Sequence, residues 1–152
     1  ENQESLLSWW KSLLSIALIL TLAQSVLGVR LSSTWSAHLC LTFNRHCFIL
    51  DSHKVFALPV AISVLSIFLS SFININLFKN NWKFLIPMVF LVIFQVCLGI
   101  LSLKTNLSQP LIIVTHEVVA SLLIATLTTL IFRNSQQELL INTQKNNVIL
   151  GV

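Results

Sequence analysis

Of the 152 residues, 55% are hydrophobic and 9% charged, and the mean hydropathy is +0.86. A water-soluble fold of this size would lack the polar residues needed to cover its surface, so the bilayer is the solvent of what the length suggests is a single domain. The formal net charge of +4 does not point to nucleic acid, because the basic residues sit at the ends of apolar segments instead of clustering with aromatics, as membrane anchors do.

A membrane span needs about 20 mostly apolar residues, since in hydrocarbon each backbone N–H and C=O must be paired inside its own helix. Four segments qualify, at about 13–29, 55–78, 84–103 and 111–132. The expectation is an all-α integral membrane protein with a four-helix bundle over 13–132. An interfacial segment over 1–12 precedes it and a polar tail over 133–152 follows. The first apolar run is long and leads into a chain that returns to the membrane, so it reads as a retained span, not a cleavable signal. Lys11, Lys79, Lys83, Arg133 and Lys145 fall on the side of the termini, against Arg30, Arg45, Lys54 and Lys104 on the other. This small excess predicts termini inside and the 31–52 loop outside.

In chain order, Trp9 and Trp10 suit the headgroup level, with half-buried rings and wet N–H groups. Trp82 takes the same part at the start of the third helix. The first helix ends with Gln24 and Gly28, one turn apart on one face, where a glycine admits a neighbouring helix or a flat ligand. By itself this pair reads as helix packing with a glutamine as interhelical glue. The loop holds His38, Cys40, Arg45, His46, Cys47 and Asp51. On the oxidising side of a membrane, Cys40 and Cys47 are candidates for a disulfide. A zinc site at His38, Cys40, His46 and Cys47 lacks the expected CxxC hairpin, and a thiol-exchange pair also favours closer cysteines. Cys97, inside a span, reads as a small buried apolar residue.

The second helix begins near His53 and contains Pro59; the third carries Pro87 in its first turns; the fourth opens at Pro110, a favoured place for proline. Two short patterns recur. Gln24, Leu27 and Gly28 form a QxxLG repeated at Gln95, Leu98 and Gly99, and His53 with Ala57 forms an HxxxA repeated at His116 with Ala120. The chain is therefore expected to be a duplicated helix pair, each copy delivering one histidine. Ionisable side chains in spans are costly and mark function by default. An alanine four residues on leaves a trough beside each imidazole. That pattern suits haem, which needs a neutral imidazole on iron and a small neighbour beside the flat macrocycle. Two interfacial, hydrated histidines on a cofactor-free scaffold are the bland alternative. Glu117 is expected on another face, paired with Lys104 or a partner subunit.

The order LGVRLSSTWSAHLC, Cys47, HKVFA and then QVCLGILSLKTNLSQPLIIVTHEVVA resembles one half of the haem A synthase (CtaA) family, over roughly residues 24–130. The resemblance implies His53 and His116 as axial haem ligands and Cys40 with Cys47 as the cysteine pair of the outer loop. Around them, Gln24, Gly28, Ala57, Gln95, Gly99 and Ala120 would line the cofactor, which is haem b or haem o and a. The family's members have eight helices in two such halves and oxidise a methyl group of haem o to give haem a for cytochrome oxidase. This chain has one half only. The acidic residue that the catalytic half carries three positions before its first histidine is here Leu50, with Asp51 adjacent as the remaining catalytic candidate. The implied activity is oxidation of haem o by a homodimer of half-units. The alternative is a non-catalytic haem-binding subunit or assembly factor of a larger electron-transfer membrane complex.

Overall fold

A computed structural model describes residues 2–32 and 47–150. All regular structure among them is helical: α1 (Asn2–Ser32), α2 (Phe48–Ser71), α3 (Ile75–Lys104) and α4 (Pro110–Leu150). Each is long and apolar enough to cross a membrane. The helices run up, down, up, down. Each packs on two neighbours, α1 on α2 and α4, α3 on α4 and α2, which closes a four-helix bundle. Large apolar side chains such as Ile19, Val29, Leu58, Leu69 and Phe90 stay exposed on its outside, the arrangement that a lipid solvent favours.

The helix boundaries follow local chemistry. The apolar run expected to span 55–78 is broken at 72–74. The Asn74 side chain accepts from the backbone N–H of Asn76 at 3.0 Å and caps α3, as asparagine does at a helix start. The second span is therefore displaced toward the N-terminus and takes in Phe48–Ser71. Because α3 starts at Ile75, Pro87 lies in its interior, not in its first turns, as Pro59 does in α2. Each proline removes one helical hydrogen bond and frees a carbonyl in mid-span. At the far end of α3, Asn106 and Leu107 adopt φ of 50° and 55°, and the Leu107 N–H closes on the Ser102 carbonyl at 2.9 Å. A leucine in the left-handed region costs roughly 1–2 kcal/mol, and this one is half-buried against the mouth of the cavity described below.

Close packing is concentrated in the half of the bundle nearest the termini. Trp10, Leu14 and Ala17 of α1 meet Val64 and Ile67 of α2, Leu85 and Met88 of α3, and Leu127 and Leu130 of α4. Trp10 departs from the interfacial role expected of it. Its ring is completely buried and its Nε1–H donates to Ser70 Oγ at 3.1 Å, while Trp9 remains 46% exposed. The corresponding place between α3 and α4 is filled by Arg133, which donates to the Asn80 carbonyl at 3.1 Å and to Asn81 Oδ1 at 3.4 Å and lies over the Phe84 ring. Residues 2–12 and the start of the 133–152 tail are helical extensions that meet outside the bundle core, where Lys11 Nζ reaches Glu138 Oε2 at 3.2 Å. An exposed pair of this kind contributes about 0–1 kcal/mol.

Burial follows one register in both halves. The displacement that takes Gln24 to Gln95 also takes the buried Trp10, Leu14, Ala17 and Thr21 to the buried Asn81, Leu85, Met88 and Val92. The displacement from His53 to His116 takes Val60, Val64 and Ile67 to Leu123, Leu127 and Leu130. Corresponding elements thus present corresponding faces to the centre.

Trp10 holds the packed half together, and truncating a buried aromatic costs about 3–5 kcal/mol. Trp10→Ala is expected to lower the unfolding free energy in detergent by that amount. Trp9→Ala should stay within about 0.5 kcal/mol of the parent chain, and denaturant titration followed by circular dichroism checks both.

Candidate functional site

Beyond the packed half, toward the 31–52 side, the four helices separate around a cavity of about 450 Å³, within the size range of small-molecule and cofactor sites. Its walls are mostly apolar. Among its lining residues are Gln24 and Gly28 from α1, His53 and Ala57 from α2, Gln95 and Gly99 from α3, and His116 and Ala120 from α4. All eight residues that the sequence pattern singled out thus line one space. They arrive there because each QxxLG lies near the C-terminal end of an odd-numbered helix and each HxxxA near the start of an even-numbered one.

The two histidines are held in matching ways. A Cβ placed on Gly28 would lie 3.3 Å from His53 Cε1 and 3.9 Å from Nδ1; one placed on Gly99 would meet the same atoms of His116 at the same distances. Each glycine is therefore the notch into which the opposite imidazole fits, and a side chain there would press the ring out of place. Each glutamine lies one turn before its glycine and reaches the ring nitrogen. Gln24 Nε2 is 3.4 Å from His53 Nε2, and Gln95 Nε2 is 3.1 Å from His116 Nε2.

The hydrogen bonds around Gln24 decide where the imidazole proton sits. Gln24 Nε2 also donates to the His53 backbone carbonyl at 2.8 Å. A carbonyl only accepts, so the amide nitrogen, not its oxygen, occupies that place. Its remaining N–H faces His53 Nε2, which must then offer a lone pair. With Gln24 as donor, His53 takes the tautomer protonated on Nδ1, and its Nε2 lone pair is occupied by the glutamine, which a metal at that nitrogen would have to displace. Gln95 presents the same atom to His116.

Around the two rings four buried polar atoms have no partner among the described residues: Nδ1 of both histidines and Oε1 of both glutamines. Ser102 Oγ, on the same cavity wall, is a fifth. An unpaired buried donor or acceptor costs about 1–3 kcal/mol. Such a cluster is out of place in a structural core and suits a site built for an occupant. The two rings face each other across the cavity, with centroids 6.4 Å apart and planes inclined by 65°.

Glu117 is not on another face. It shares the cavity rim with His116, and its Oε1 accepts from Ser32 Oγ of α1 at 3.0 Å. Sequence reasoning missed this contact because nothing in the spacing links Ser32 to Glu117. Cys97 is exposed with a free thiol, not buried. Asp51 lies exposed in the first turn of α2, where its N–H donates to the Cys47 carbonyl at 2.9 Å; neither Asp51 nor Leu50 lines the cavity. His38, Cys40 and His46 lie outside the described residues, so the Cys40 to Cys47 pairing does too. Among the described residues no three His, Cys, Asp or Glu side chains gather as a protein-only metal site.

The glutamines' role is open to direct measurement. In cofactor-free protein, 15N NMR of the imidazoles should find His53 protonated on Nδ1, and Gln24→Met should move that proton toward Nε2 by removing the facing donor. An unchanged spectrum would leave Gln24 a packing residue only. Compared with known protein families, curated proteins and solved structures, the chain matches none, and its function is argued from this geometry.

Proposed function

We propose that this is a membrane haem-binding protein in which His53 and His116 occupy the two axial positions of one haem. The observation that carries the reading is the 6.4 Å separation of the ring centroids. An imidazole nitrogen sits about 2 Å from a transition-metal ion, and the ring centre about 1 Å behind it, so two imidazoles on opposite sides of one ion have centroids about 6 Å apart. A porphyrin brings its own four in-plane nitrogens, so two protein ligands complete the iron and no larger cluster is needed.

The other residues fit the same occupant. Gly28 and Gly99 give each ring its notch, Gln24 and Gln95 hold the binding nitrogens unprotonated, and Ala57 and Ala120 keep the walls shallow beside the histidines. When bound, a haem ligated on both faces supplies one-electron transfer. The shared register of the two halves supports reading the chain as a duplicated helix pair, and the small excess of Lys and Arg on the side of the termini supports placing the termini inside and the cysteine-bearing loop outside.

The resemblance to haem A synthase extends this proposal to catalysis. Oxidising a methyl group of haem o calls for a second porphyrin site beside the first, and both histidines of this chain share a single cavity. In the catalytic reading the second site comes from a second copy, in a homodimer that rebuilds eight helices. One donor pair among the described residues favours the other reading, a haem-holding subunit or assembly factor for electron transfer. In neither is Asp51 placed at the cavity.

Purified protein is expected to show a Soret band with the narrow visible bands of six-coordinate low-spin iron. His53→Ala or His116→Ala should abolish them, and retention of the low-spin spectrum in both would refute the axial assignment. Pyridine haemochrome analysis after co-expression with a haem O synthase separates the two roles. Extracted haem a supports the synthase, whereas haem b or o alone leaves the electron-transfer subunit.

A further inference from the structure

The deep part of the cavity is nearly two-fold: glutamine matches glutamine, glycine matches glycine, histidine matches histidine and alanine matches alanine. Such a slot cannot tell one end of a flat ligand from the other. The rim can. Lys54 follows His53 on α2, and at the corresponding place on α4 Glu117 follows His116. Both line the cavity. The carboxylate of Glu117 is tied across to α1 by the Ser32 hydroxyl at 3.0 Å. Lys54 has no hydrogen-bond, ion-pair or ring partner among the described residues. A cation without a partner thus faces an anchored anion across the mouth of an apolar pocket.

We propose that the ligand carries its carboxylates on one edge only, and that Lys54 selects and orients it by receiving that edge while Glu117 repels it. This rests on the porphyrin reading above and adds which way round the porphyrin is held. Charges at the border of an apolar pocket interact more strongly than in water. The contrast between attraction at Lys54 and repulsion at Glu117 therefore acts on a pair of propionates where the histidines, being equivalent, do not. Ser32 takes part by fixing the Glu117 carboxylate at the rim.

The test is titration of the purified full chain, in lipid nanodiscs, with iron protoporphyrin and with its dimethyl ester, followed at the Soret band. The parent protein should favour the diacid by about fivefold, the scale of one partly exposed ion pair. Lys54→Met should bring the ratio close to one while leaving ester binding unchanged, and that unchanged binding reports an intact fold. Lys54→Glu should invert the preference. A diacid-to-ester ratio that stays at its parent value in both variants, or a parent protein that binds both porphyrins equally, overturns the proposal. Failure of the parent chain to bind either porphyrin is a different result and removes the haem reading itself.

Discussion

An imidazole inside a bilayer must be paired, and the two glutamine–histidine hydrogen bonds let this bundle keep two imidazoles in one cavity. Leaving a polar group unpaired in hydrocarbon costs several kcal/mol, so a lone histidine at this depth would turn toward the headgroups. Gln24 and Gln95 remove that pressure at one ring nitrogen, and Gly28 and Gly99 provide the space in which the bond forms. The compensation is incomplete: the second ring nitrogen and the glutamine oxygen stay unpartnered on both sides. The site is stable enough to persist and polar enough to favour an occupant.

The cavity and the packed half depend on each other. Four helices that packed closely along their whole length would fill the space between the histidines with side chains. Here Trp10, Met88 and Leu127 fill the centre of one half, whereas Gly28, Ala57, Gly99 and Ala120 line the cavity in the other. Small residues between membrane helices usually draw backbones together. At this end the notches at Gly28 and Gly99 take up the two imidazoles, and the cavity lies beside the rings.

Four spans and all eight site residues were legible in the sequence. Apolar length marks a span directly, and a repeated QxxLG and HxxxA fix relative positions on helices of known period. Other features were hidden for physical reasons. The turn at 72–74 contains Phe72 and Ile73, which read as more span, and only the cap at Asn74 betrays it. Trp10 and Cys97 were assigned the wrong surroundings because in lipid an apolar residue is equally at home inside or outside the bundle, so composition does not separate the two. The contact of Ser32 with Glu117 joins the first helix to the last, and no local pattern announces such a pairing. Leu107 shows the same limit in the backbone: Asn106 suits the left-handed region, but nothing marks the leucine that follows it into that region.

The uneven distribution of packing also makes the molecule a spring clip. Trp10 with Ser70, and Arg133 with Asn80 and Asn81, rivet each helix pair at the terminal end, where the pairs also share a packed core, while at the opposite end a hydroxyl at Ser32 joins α1 of one pair to α4 of the other. Deflection about the riveted end grows with distance along a helix, so a small rotation there becomes a wide gap at the jaws. Opening of this kind would leave the hydrogen bonds within each helix intact.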